Sequence, residues 1–175
     1  MNERSQIREP TIYHYKLVRK LNLRTERKYS YFASGLVAIA AMGLLYDWIG
    51  AVYSALSLLL MLAIHTGVLW LTLRRVDEPS MKRWTFRRDW PWIGPLPIRD
   101  TTLSLFRRLH FHLFLVGCCA AVLLYPWAHP SVVVSLLYWH VWLLAPRVSL
   151  LWAMRRELGD GVLRLDSREV FYYHR

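Results

Sequence analysis

Three histidines and one arginine are placed where they could do chemistry. His65, His112, His140 and Arg147 fall inside long apolar runs, where a polar side chain is costly unless it faces a partner or a cavity. Imidazoles and a guanidinium without a carboxylate suit an anion: a phosphate head, a carboxylate or a quinone oxygen. Counted from the flanking charges at 1.5 Å per residue, His65 lies about 12 Å, Arg147 about 9 Å and His112 about 6 Å below one boundary. A pocket opening to that boundary and lined by His65, His112 and Arg147 is the sharpest site the residues offer. His140 stands two turns from Arg147 on the same stripe.

The plain alternative for Arg147 is a side chain that snorkels to phosphate headgroups. Its neighbour Pro146 lacks an N–H and so frees the carbonyl of Trp142, an arrangement that commonly kinks a helix. Haem b held by two histidines needs ligands at matching depth on facing helices. His65 and His140 differ by roughly 7 Å along the axis, which counts against that pair, so haem and quinone stay unsupported ideas and no cofactor is predicted.

No catalytic set accompanies these side chains. The runs carry no Asp or Glu beyond Asp47 at the end of one of them, so paired carboxylates and an acid proton relay are unavailable within them. Cys118 and Cys119 are adjacent; helix neighbours diverge by about 100°, and the two read as packing residues rather than a disulfide or a zinc site. No catalytic residue and no metal ligand is assigned.

The elements that must position the histidines and Arg147 follow from composition. Of 175 residues, 55% are hydrophobic and 14% aromatic, which is membrane composition. Segments 31–46, 51–73, 109–125 and 131–153 are long and nearly free of charge, each near or above the roughly 17 to 25 residues of a spanning helix. The expectation is an all-α integral membrane protein with four transmembrane helices as two hairpins, 31–73 and 109–153. LLYDW at Leu44–Trp48 matches LLYPW at Leu123–Trp127, and Ala38, Ala40 and Ala41 correspond to Gly117, Cys119 and Ala120. That pattern makes the hairpins a candidate pseudo-two-fold tandem repeat with the first and third spans packed at its centre.

Net charge is +11, and of 23 Lys and Arg all but Arg147 flank the runs on one side. Cytoplasmic loops attract positive charge. The arm 1–30, the loop 74–108 and the tail 154–175 are therefore expected in the cytosol, beneath an inner or plasma membrane. In the arm, Leu17, Val18 and Leu21 fall on one helical face with Lys16, Arg19, Lys20 and Arg24 around the other, the pattern of a helix lying in the interface. In the loop, Trp84, Trp90 and Trp92 interleave with Arg87 and Arg88 and are expected at headgroup level. The tail alternates in VLRLD and VFYY, which fits a short β-hairpin.

The partners implied are anionic lipids together with other membrane subunits or a second copy; nucleic acid is not among them. The segment KRWTF, Lys82 to Phe86, is similar to a stretch of the GtrA-like proteins, which are associated with translocating lipid-linked sugars. That likeness covers five residues plus the layout and implies no membership. The leading functional expectation is a non-catalytic structural or accessory subunit of a larger membrane complex. A small oligomeric transporter or lipid-handling protein using the Arg147, His65 and His112 pocket comes second, and a haem or quinone electron-transfer subunit third.

Overall fold

A computed structural model describes residues 16–22, 25–76, 83–88, 91–98, 100–166 and 169–174. The apolar runs are helical. Helices α1 (Thr25–Arg74), α2 (Leu103–Leu123) and α3 (Pro130–Ala153) are each long and apolar enough to cross a membrane. Thr102 caps α2 by accepting from the Leu105 N–H at 3.3 Å. His129 caps α3, with Pro130 at its first turn, where a missing N–H costs nothing.

A straight helix of the 50 residues in α1 would measure about 75 Å, more than twice the hydrocarbon of a bilayer. Instead α1 breaks at Tyr46 and Asp47, which leave helical backbone, Asp47 with a φ of 59°. Its two arms fold back on each other there. Tyr46 and Tyr53 both approach His129 at one end of α3, whereas Tyr31 bonds to Trp142 and Leu73 clusters with Leu144 towards the other end. Gly50 permits the reversal, because a Cβ there would collide with the Met42 carbonyl and the Tyr46 side chain.

The all-α, four-helix expectation is overturned by three helices accompanied by two antiparallel sheets. Strands β1 (Lys16–Asn22), β4 (Thr101–Thr102), β5 (Val162–Leu165) and β6 (Glu169–His174) form one sheet in the order β1-β6-β5-β4. Strands β2 (Trp84–Arg87) and β3 (Gly94–Pro97) form the other. The tandem repeat falls with it. One half is a single broken helix and the other is two separate helices. The small residues assigned to a central contact face α3 instead: Ala38 and Ala41 line a groove whose other side is Val134 and Ser135, and Gly117 lies against the His140 ring.

β1 stands where an interfacial helix was expected. Over seven residues KLVRKLN fits period 2 as well as 3.6, since Arg19 and Leu21 are half-buried while Lys20 and Asn22 are exposed. The pairing with β6, from Lys16 opposite His174 to Asn22 opposite Glu169, supplies ladder hydrogen bonds that an isolated short helix cannot match.

A core between sheet and helices holds Trp92, Leu96, Leu103, Phe106, Leu163 and Tyr172. Outward, Leu36, Val37, Leu44, Leu59, Leu71, Phe111, Val122 and Val141 are exposed, Leu44 at 89%. So much apolar surface on the outside of helices is the pattern of a chain facing lipid.

Candidate functional site

Helix α3 carries His140 and Arg147, two of the buried polar side chains. His140 is wedged between α1 and α2, and the wedge requires Gly117, where a Cβ would enter the imidazole. Its Nε2 lies 3.0 Å from the Phe114 carbonyl. A carbonyl only accepts, so the proton sits on Nε2 and a neutral ring leaves Nδ1 as an acceptor. The His65 Nε2 is 2.8 Å from that Nδ1 and must donate to it. One chain of hydrogen bonds therefore runs from α1 through α3 to α2.

Arg147 is 1% exposed, so its charge does not snorkel. Nη2 donates to the Ile93 carbonyl at 2.8 Å and to the Pro95 carbonyl at 3.5 Å. The residue between these carbonyls is Gly94, with φ of 111°, and a Cβ there would stand 2.8 Å from Nη2. Arg147 thus pins the start of β3 to the helices, a positive charge seated on carbonyl dipoles. Its Nη1 is buried without a partner among the described residues.

His112 lies outside this group. Residues two apart on a helix diverge by about 200°, and the HFH triplet at 110–112 turns His110 inward and leaves His112 exposed. His110 donates from Nδ1 to the Phe106 carbonyl at 2.7 Å and lies tilted against the Phe106 ring, centroids 4.0 Å apart. Its Nε2 has no partner among the described residues. Within HFH the apolar face of α2 (Phe106, Leu109, Leu113) is the signal that selects His110 rather than His112.

No family model, curated protein or solved structure matches this chain. What the site can do rests on its own geometry.

That geometry does not favour haem. Histidine nitrogens on two sides of one metal stand about 4 Å apart, at about 2 Å per bond, but the facing nitrogens of His65 and His140 are 2.8 Å apart and bonded to each other. The outer nitrogen of His140 is engaged with Phe114. Among the described residues no group of three or more His, Cys, Asp or Glu could hold a metal ion.

Pro146 sits within α3, which continues to Ala153. The Trp142 carbonyl that it leaves without a helical donor accepts from the Tyr31 Oη at 2.8 Å, and the Tyr31 and Trp142 rings stack at 4.0 Å. In return the Trp142 Nε1 donates to the Tyr31 carbonyl at 3.2 Å and to Ser34 Oγ at 3.0 Å. Trp139 ties the second arm of α1, donating from Nε1 to the Ser54 carbonyl at 2.8 Å.

The residues expected to touch lipid divide. Trp92 is a core residue, 1% exposed, and Trp84 is half-buried against Phe106 and His110. Arg19 donates to the Ala153 carbonyl at 2.7 Å and pairs with Glu157 at 3.3 Å. Lys20 pairs with Glu169 at 2.8 Å, and Arg87 donates to the Leu165 carbonyl at 3.1 Å. These cations join sheet, hairpin and helix ends. Lys16 and Arg88 remain exposed, while Arg24 and Trp90 lie outside the described residues.

Proposed function

We propose that this protein is a non-catalytic structural or accessory subunit of a larger membrane complex, its helices in an inner or plasma membrane and its sheet on the cytosolic face. The concentration of Lys and Arg on the sheet side supports that orientation. One observation carries the reading. The sheet is clamped to the helices, yet β1 ends it with an edge that no strand pairs among the described residues. Leu17 and Val18 are exposed on that strand at 48% and 49%. An open strand edge beside exposed apolar side chains is a ready site for a partner strand.

The test is a photo-crosslinking amino acid in place of Val18 in the full chain, expressed in its native membrane. A single crosslinked product containing a different membrane protein is expected, lost when β1 is broken by Leu17→Pro. Products containing only lipid or a second copy of this chain would overturn the proposal.

A further inference from the structure

Two concave grooves meet at Arg74, at the end of α1 nearest the sheets. One, of about 380 Å³, lies between α1 and the β2–β3 hairpin, walled by Leu69, Trp70, Leu73, Trp84 and Phe86. The other, of about 490 Å³, lies between α1 and α2, walled by Val68, Leu71 and Val116, with Arg75 and His112 beside Arg74. The α1 residues on the two walls step by three and four, so the grooves occupy neighbouring faces of one helix.

The polar ends of both grooves are basic. Among the described residues no Asp or Glu lines either, and neither Arg74 nor Arg75 makes an ion pair. The Arg74 guanidinium carbon sits over the Trp70 ring, 3.5 Å from its centre. A guanidinium seated on an aromatic face keeps N–H donors for an anion, and its fork can meet a phosphate through two parallel hydrogen bonds. From Arg74 back to Thr66 is about 12 Å along the helix, close to the thickness of one hydrocarbon leaflet, about 15 Å.

We infer that Arg74, Arg75 and His112 hold the phosphate of an anionic phospholipid whose two acyl chains lie in the grooves on either side of α1. A single cationic junction feeding two apolar channels has the shape of a molecule with one charged head and two tails. A soluble anion would use the arginines and leave both grooves empty. His112 contributes a ring N–H at the rim, which is a use for the exposed member of the HFH triplet.

The experiment reconstitutes the full chain in vesicles containing brominated phosphatidylglycerol or brominated phosphatidylcholine and reads quenching of tryptophan fluorescence, since Trp70 and Trp84 line one groove. At about 1 kcal/mol per basic side chain, a phosphatidylglycerol preference of about fivefold or more is expected. It should fall to within about twofold of none in Arg74→Gln with Arg75→Gln, and should be kept in Arg155→Gln with Arg156→Gln, a basic pair elsewhere on the sheet side. His112→Ala, at an exposed position, should lower it in part. Added inorganic phosphate should leave the quenching unchanged. Equal quenching by the two lipids in the unaltered chain overturns the inference. So does an equal loss from the Arg155 and Arg156 pair, which would reduce the preference to general surface charge, or displacement by inorganic phosphate.

Discussion

The Tyr31 hydroxyl donates to the Trp142 carbonyl at 2.8 Å, and Pro146 is the reason that carbonyl is available. A proline four residues on cannot return the helical hydrogen bond, and in hydrocarbon no water can replace it. The first arm of α1 supplies the donor, so a defect in one helix becomes a joint between two.

The pair should behave as a coupled unit. Tyr31→Phe is expected to cost about 1 kcal/mol, the scale of a hydrogen bond between membrane helices. In a Pro146→Ala background the Trp142 carbonyl recovers a helical donor, and the same Tyr31→Phe change should cost less. Unfolding in mixed detergent micelles across the double-mutant cycle measures the difference; equal costs in both backgrounds would mean that the two residues act independently.

Gly117→Ala and Gly67→Ala should differ although both alter glycines on apolar helices. The methyl group at 117 would enter the His140 ring, whereas at 67 it meets nothing within 4 Å. Gly117→Ala must displace His140 from the Phe114 carbonyl and from His65, and a loss of about 1 to 3 kcal/mol is expected for overpacking. Gly67→Ala should be neutral or stabilising by up to about 1 kcal/mol through helix propensity. Thermal unfolding of the two variants side by side decides it.

Arg147→Leu should loosen the β2–β3 hairpin while leaving membrane insertion intact. Removing the guanidinium strips the Ile93 and Pro95 carbonyls of their donor, and hydrogen bonds to charged groups contribute about 1.5 to 3 kcal/mol. Amide exchange at Ile93, Gly94 and Leu96 should accelerate more than in α2. Unchanged protection there would place the anchor of the hairpin elsewhere.

Tyr172 makes the sheet sensitive to alkali. Burial, together with the charges of Glu157 and Asp160, raises its phenol above the ordinary 10.0, while the hydroxyl donates to the Leu158 carbonyl at 2.7 Å. A group with a raised folded pKa stabilises fully below the unfolded value, and that contribution is lost as pH climbs through the folded one. Stability of β5 and β6 should therefore decline above pH 10, and Tyr172→Phe should flatten the decline. A wild-type profile that stays level from pH 9 to 11.5 would contradict the assignment.

Some of this architecture can be read along the chain. Apolar runs flanked by basic pairs become helices because a backbone in hydrocarbon must satisfy its own hydrogen bonds. The alternation in VLRLD and VFYY is that of paired strands, and β5 and β6 pair antiparallel from Val162 opposite Tyr173 to Leu165 opposite Val170. His65 and His140 show where such reading stops. Depths counted along ideal axes set them roughly 7 Å apart, yet they are hydrogen-bonded at 2.8 Å. Counting residues ignores how helices tilt and where they break, and α1 breaks.

Trp92 and β1 fail for a related reason. An aromatic ring among arginines and prolines satisfies the rule for a membrane interface, and nothing local reveals a core made by residues from α2, α3, β5 and β6. KLVRKLN satisfies two periodicities, and its choice was made by β6 at the far end of the chain. The sequence by itself determined composition, the helical runs and the one-sided placement of the cations, because these depend on each segment's own transfer between water and lipid. Tertiary structure alone decided which polar groups meet, from Arg147 on the hairpin carbonyls to His140 against Gly117, because a buried polar atom is satisfied by whatever the fold brings within hydrogen-bonding reach.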